Sequence, residues 1–140
     1  MCSVNNNDIT YGMRCAYIEN LIDDIRCMSD LNYQNQVWIE GSIPGIIDSW
    51  EERMCMFFDD KNIDNFLSNI DPKFNFTQHQ IDQLKKLRDK VDYYCSMIPQ
   101  YINSYEVLQD SRWHEVVACA KETLKAFEDY QVPLDSINSY

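Results

Sequence analysis

The chain has 140 residues, only 3 glycines and 4 prolines, and a hydrophobic fraction of 45%; this argues against disorder or a turn-rich β-fold and favours one helical domain that buries its own core. Its formal net charge of −11 opposes binding to nucleic acid and to anionic membranes, both of which attract cationic side chains. The charge is uneven, because residues 1–71 hold 13 acidic and 4 basic side chains whereas residues 72–140 hold 10 and 8.

The first predicted helix follows a polar tail of residues 1–7. Asp8 is in a position to cap it, and apolar side chains recur at helical spacing from Ile9 to Met28. Three carboxylates are expected on the opposite face, which should make that face strongly negative: Glu19, Asp23 and Asp24.

Residues 29–42 lose the helical period, and a connecting loop that ends at Gly41 is predicted there. Tyr33, Trp38 and Glu40 fall within this polar segment. Exposed aromatic side chains beside acids are typical of a binding hot spot. The alternative interpretation is that the loop folds back and buries its aromatic side chains.

The second helix is predicted to begin at Pro44, because the first turn of a helix tolerates proline. Its buried stripe is expected to consist of six apolar side chains: Ile46, Ile47, Trp50, Met54, Phe57 and Phe58. Its outward face is expected to carry four charged side chains: Asp48, Glu51, Glu52 and Arg53.

Four more helices are predicted after residue 60. The first of them is short and closes at Asp71-Pro72, since a residue before proline is pushed away from helical conformation. Thr77 and Gln80 form a capping-box pattern that starts a long helix. The expected helical ranges are 63–70, 78–98, 101–108 and 111–129, followed by an irregular tail over 131–140. The prediction is therefore an all-α fold, a single compact bundle of about five or six helices over residues 1–140.

Catalytic motifs, metal-ligand spacing and glycine-rich phosphate loops are not found in the sequence. His79 and His114 belong to no recognisable motif, and the six cysteines lack ligand spacing. The start MCSVNNND lacks the basic and apolar regions of a secretory signal, and no apolar run approaches the roughly 18 residues of a membrane span. We expect a cytoplasmic protein with reduced thiols that is not an enzyme, binds no metal or cofactor and contacts neither membrane nor nucleic acid. The basic cluster from Lys85 to Lys90 is more typical of a solvated helix face than of a patch that binds nucleic acid.

The last helix is the clearest core element of the chain. Its apolar stripe comprises Trp113, Val116, Val117, Ala120, Leu124 and Phe127. With the segment before it, this run reads IPQYINSYEVLQDSRWHEVVACAKETLKAF, in which Asp110 precedes the helix led by Trp113. This segment resembles the closing part of small bacterial immunity proteins, including those of contact-dependent growth inhibition systems.

The resemblance implies a protein that binds one cognate toxin domain, often a nuclease, and blocks its active site or substrate path. Because a nuclease cleft is cationic in order to hold phosphate, the same positive potential can attract and hold an acidic protein surface. We therefore expect a basic partner, contacted through acids that supply charge and through Trp38 or Tyr33 as an anchor. The candidate contacts are Glu19, Asp23, Asp24, Tyr33, Trp38, Glu40, Glu51 and Glu52.

Two other classes of function stay open at this point. A helical adaptor with a partner that is not a toxin would expose an apolar groove. A small metal-dependent enzyme would use paired carboxylates, for which Glu19 with Asp23 and Asp48 with Glu52 have the necessary spacing of four residues.

Overall fold

A computed structural model of the protein describes residues 10–99 and 102–135. Within these ranges the chain forms helices and no strand, so the predicted all-α fold is confirmed. Two of the helices continue directly into a wider, π-helical segment. The α-helices are α1 (Tyr11–Met28), α2 (Leu31–Tyr33), α3 (Trp50–Cys55), α4 (Ile63–Ser68), α5 (Gln78–Met97), α6 (Ser104–Gln109) and α7 (Ser111–Phe127), the π-helical segments are Gln34–Glu40 and Met56–Asp60, and a 3-10 turn covers Pro72–Phe74.

The core is organised around α7, which packs against both α5 and α1. Helix α5 runs antiparallel to α7, since the Gln80 side chain near the start of α5 donates to the carbonyl of Ala126 at 3.0 Å. Trp113 is fully buried between the rings of Trp38 and Tyr94, whose centroids lie 6.2 and 5.5 Å away. The predicted stripe of α7 is thus the centre of the core, with Leu124 only half-buried.

Side chains fix the starts of several helices. The capping box is present as predicted, with Gln80 N donating to Thr77 Oγ1 at 3.1 Å and Thr77 N donating to Gln80 Oε1 at 2.9 Å. Helix α1 begins at Tyr11, where Thr10 accepts from Met13 N, and Asp8, the predicted cap, lies outside the described residues. The predicted helix over 101–108 begins only at Ser104.

The prediction of a loop over residues 29–42 is wrong. Asp30 caps α2 by accepting from Tyr33 N at 3.0 Å, and the helix continues in π-helical form to Glu40 before Gly41 ends it at φ +59°. A π-helical turn holds more residues than an α-helical one, so the apolar side chains no longer recur at the spacing that identifies a helix.

The second helix begins at Trp50 and not at Pro44. Ser49 caps it, accepting from Glu52 N at 3.1 Å, and residues 41–49 form a loop instead. Ile46 and Ile47, placed in the buried stripe by the prediction, are 43% and 97% exposed. The predictions were correct for the later part of this stripe, where Trp50, Met54 and Phe57 are buried and Phe58 is half-buried.

Asp110 caps α7 and is expected to stabilise the fold in a pH-dependent way. It accepts from Arg112 N at 2.9 Å and pairs with the Arg112 guanidinium, which lowers the pKa of Asp110 to about 2. The Asp110→Ala variant should lose about 1 kcal/mol at pH 7, as is usual for a removed N-cap. Because the pKa is lowered, this contribution is complete above the ordinary carboxyl pKa and disappears as the pH falls through about 2.

Urea unfolding of the wild type and of Asp110→Ala at pH 7, 4 and 2 measures this dependence. Asp129→Ala is the control, since Asp129 is exposed after the end of α7. A difference in unfolding free energy that stays constant down to pH 2 would contradict the assignment.

Candidate partner-binding surface

A buried carboxylate, that of Asp48, holds the segment before α3 in place. Its Oδ2 accepts hydrogen bonds from Tyr33 Oη at 3.0 Å, Trp38 Nε1 at 3.0 Å and Arg53 Nη2 at 2.7 Å. The sequence prediction placed Asp48 and Arg53 on the outward face, but both are buried. Asp48 therefore joins the π-helical segment to α3 from the inside.

The same arginine reaches a second buried carboxylate on α1. Arg53 Nη1 lies 2.7 Å from Asp24 Oδ1, and Lys61 Nζ lies 2.9 Å from Asp24 Oδ2. Burial opposes the charge on Arg53, but its hydrogen bonds with Asp48 and Asp24 outweigh burial and raise the pKa of Arg53 above its ordinary value. Two cations thus neutralise two carboxylates in a network that links α1, the π-helical segment and α3.

This network corrects two of the predicted partner contacts. Asp24 is only 2% exposed and belongs to the network, not to the outer face of α1. Trp38 is 9% exposed and packs on Trp113, so the alternative that the segment buries its aromatic side chains holds for Trp38. Tyr33 is half-buried; burial and its hydrogen bond to Asp48 raise the pKa of its hydroxyl.

The loop over residues 41–49 is anchored at both ends. At its start the backbone N–H of Ser42 donates to the carbonyl of Gln36 at 2.9 Å, and near its end Asp48 is bound as described. Gly45, at φ +81°, adopts a backbone conformation that glycine accepts readily. Between these anchors the loop presents Ile46 and Ile47 to solvent.

Acidic side chains flank this apolar loop in the sequence. Glu40 precedes it, and Glu51 and Glu52 follow it in the first turn of α3, where negative charge is favourable next to the helix dipole. All three are exposed, and no ion pair joins them to a cation among the described residues. We call the five side chains of Glu40, Ile46, Ile47, Glu51 and Glu52 the acidic loop surface.

The remaining predicted contacts lie on α1. Glu19 and Asp23 are exposed and line one groove beside Phe127. Asp23, paired with Arg26 at 2.8 Å, also borders a cleft of about 460 Å³ that Tyr33 lines. The structure therefore brings Asp23 and Tyr33 together in one cleft, whereas Glu40, Glu51 and Glu52 are exposed on either side of the loop in the sequence.

Ile46 and Ile47 were missed as candidate contacts because the sequence placed them in a helix. One signal was available: Ser49 and Glu52 have the Ser-x-x-Glu spacing of a capping box, which predicts a helix start at Trp50. With Pro44-Gly45 before it, the same stretch has the composition of a turn. An apolar pair between these two signals is then expected in a loop.

The described ranges hold no group of three or more His, Cys, Asp or Glu side chains placed to bind a metal ion, and no helix in them is long and apolar enough to cross a membrane. The ring of His114 contacts the carbonyl of Leu108 at 2.8 Å, and His79 is exposed at the start of α5.

No protein-family model matches the chain, and no similar protein was found among curated sequences or among solved structures.

Proposed function

We propose that the protein is a toxin inhibitor of the immunity-protein type, which binds a basic toxin domain through the acidic loop surface. The observation that carries this proposal is the presentation of Ile47, 97% exposed, on a loop fixed at both ends and flanked in the sequence by carboxylates that make no ion pair among the described residues. An exposed apolar side chain beside charged groups is the arrangement expected of an anchor that a partner desolvates on binding.

The buried network supports the proposal by reducing the entropy lost on binding. Tyr33, Trp38 and Arg53 hold Asp48 in place, so the loop requires less ordering when a partner arrives. In this proposal Trp38 contributes from inside the protein as a brace, and Ile46 and Ile47 replace it as the apolar contacts.

The negative charge of the acidic loop surface indicates which kind of partner to expect. Unpaired carboxylates accelerate association with a cationic surface and favour it over an anionic one. The active site of a nuclease is such a surface, because it must hold phosphate. An acidic surface lying over it would exclude the nucleic acid sterically and electrostatically, without a reaction on the inhibitor. The exposed carboxylates of Glu19 and Asp23 on α1 would add to the same field.

Capture from the native lysate at low and at moderate salt, followed by identification of the bound protein, tests the proposal. The captured protein is then assayed for cleavage of RNA and DNA with and without this chain. A basic nuclease that the chain suppresses is the expected result. A salt-insensitive partner without toxic activity would contradict the proposal and favour the adaptor alternative.

Variants of the acidic loop surface locate the contact. Ile46→Ser with Ile47→Ser should weaken binding of the captured toxin roughly 30-fold, which corresponds to the loss of about 2 kcal/mol at a hot spot. Glu51→Lys with Glu52→Lys should weaken binding and also flatten its dependence on salt. Binding isotherms at two salt concentrations measure both effects.

The matched control is Glu122→Lys with Glu128→Lys, which makes the same change of charge at exposed positions in and just after α7. Equal weakening by the control and by the Glu51/Glu52 variant would mean that only net charge matters. That outcome would remove the acidic loop surface from the proposal.

A further inference from the structure

A second candidate site lies between α5 and α7. Helices α5 and α7 enclose a groove of about 480 Å³, a volume within the range of small-molecule sites. On α5 it is lined by Lys86, Lys90, Tyr93 and Met97, which share one stripe because they are three or four residues apart. The start of α7 forms the other wall.

Three lysines of this groove have no anionic partner among the described residues: Lys85, Lys86 and Lys90. The nearby carboxylate of Asp89 is bound by Arg88 at 3.1 Å, and Asp82 accepts a hydrogen bond from the Gln78 amide at 2.8 Å. Because these two carboxylates of the groove lining are engaged by Gln78 and Arg88, the ammonium groups can attract an anionic ligand.

The other end of the groove is aromatic. The Tyr93 ring is 65% exposed, with Met97 beside it on α5. Beneath lies Tyr94, with the Arg112 guanidinium 5.9 Å from its ring centroid. The Tyr94 hydroxyl is buried and faces Asp110; burial and this carboxylate raise the pKa of the hydroxyl. This end of the groove can therefore take a flat, apolar ring.

One further acid lines the groove. Glu115 lines the groove from α7 and has no cationic partner among the described residues. A free carboxylate accepts hydrogen bonds only, so it favours a ring that carries an amino group. Repulsion between Glu115 and a phosphate would at the same time direct the phosphate toward the lysines.

We propose that this groove binds a nucleoside monophosphate, with the base at Tyr93 and the phosphate at Lys86 and Lys90. The two lysines lie three and seven residues before Tyr93 on α5, which is about 5–10 Å along the helix axis. Stacking of a base on an aromatic ring and charge-assisted contacts to phosphate are the two interactions that this arrangement offers. Glu115 then prefers bases with an amino group, adenine, cytosine and guanine, over uracil.

A base and a phosphate at this spacing can belong to a free mononucleotide or to the terminal nucleotide of an RNA strand. The net charge of −11 repels the rest of a strand, so the free nucleotide is the expected ligand. Titration with AMP and with a ten-residue oligoadenylate distinguishes the two sources.

Calorimetric titration of the full chain with AMP, UMP and adenosine tests the proposal. We expect saturable binding of AMP, weaker binding of UMP and no measurable binding of adenosine. The Lys86→Gln/Lys90→Gln variant should bind AMP at least about 10-fold more weakly, because two charge-assisted contacts are lost. Glu115→Gln should reduce the preference for AMP over UMP.

Lys121→Gln with Lys125→Gln is the matched control, since both lysines are exposed on α7 outside the groove lining. It should bind AMP within about 2-fold of the wild type, a difference within the variation expected of surface charges. The proposal is overturned if no nucleotide binds saturably at millimolar concentration. It is also overturned if the control variant weakens AMP binding as much as Lys86→Gln/Lys90→Gln does. Thermal unfolding of each variant verifies that it is folded.

Discussion

The Arg53→Met variant is expected to lose about 3–5 kcal/mol of unfolding free energy, the range observed when one partner of a buried ion pair is removed. Methionine fills much of the volume but, among the described residues, leaves Asp48 with no cation and Asp24 with Lys61 alone. Both carboxylates are buried, so water cannot replace the guanidinium at low cost. Urea unfolding at pH 7 measures the loss.

The control for this prediction is Arg26→Met. Arg26 also pairs with an aspartate, Asp23, but both side chains are more than half exposed, so its removal should cost less than about 1 kcal/mol. Adding Asp24→Asn and Asp48→Asn to Arg53→Met removes the buried charges together with the cation and should recover part of the lost stability. Equal losses for Arg53→Met and Arg26→Met would show that the network is solvated and does not brace the loop.

The network explains why neighbouring acids in the sequence have different roles. Asp23 and Asp24 are adjacent, yet one is exposed and the other buried, because successive residues of a helix point about 100° apart. Asp24 lies three residues after Leu21 and four before Met28, both of which are fully buried. The helical spacing therefore indicated that Asp24 lies on the buried face of α1. It could not indicate which cations pair with Asp24, because these lie 29 and 37 residues further along the chain.

Long regular helices could be predicted because their signals are local. The apolar spacing of α5 and α7 and the Thr77–Gln80 capping box require only neighbouring residues. The π-helical segment after Tyr33 could not be found in this way, since its widened turns change the spacing. The buried side chain of Gln34 in this segment donates a hydrogen bond to the carbonyl of Cys27 on α1. It also accepts one from Trp113 Nε1, 79 residues away.

The candidate site was only partly predictable for the same reason. Acidic composition identified the exposed carboxylates Glu40, Glu51 and Glu52 directly from the sequence. The apolar contact was misplaced, because Trp38 is buried against Trp113, 75 residues further along, a contact that local spacing does not reveal. The sequence alone thus identified the acidic side chains of the acidic loop surface. Its exposed apolar side chains, Ile46 and Ile47, could be identified only in the folded structure.

The Trp113→Ala variant is expected to lose about 3–5 kcal/mol through the cavity it leaves. Trp113 is fully buried where α7 meets Trp38 and Tyr94. The free energy of unfolding in urea should fall by this amount. A smaller loss, near 1 kcal/mol, would mean that neighbouring side chains collapse into the space.

The replacement Trp113→Phe separates packing from hydrogen bonding in this prediction. Phenylalanine keeps an aromatic ring but removes the Nε1 donor, 2.9 Å from Gln34 Oε1, so a buried acceptor is left unpaired at a further cost of about 1–3 kcal/mol. Trp50 provides the matched control, because it is also buried but its Nε1 has no hydrogen-bond partner among the described residues. Trp50→Phe removes an unsatisfied N–H and should cost less than Trp113→Phe. If the two variants lose equal stability, the bond between Trp113 and Gln34 contributes nothing to holding the π-helical segment against the core, and packing alone accounts for its position.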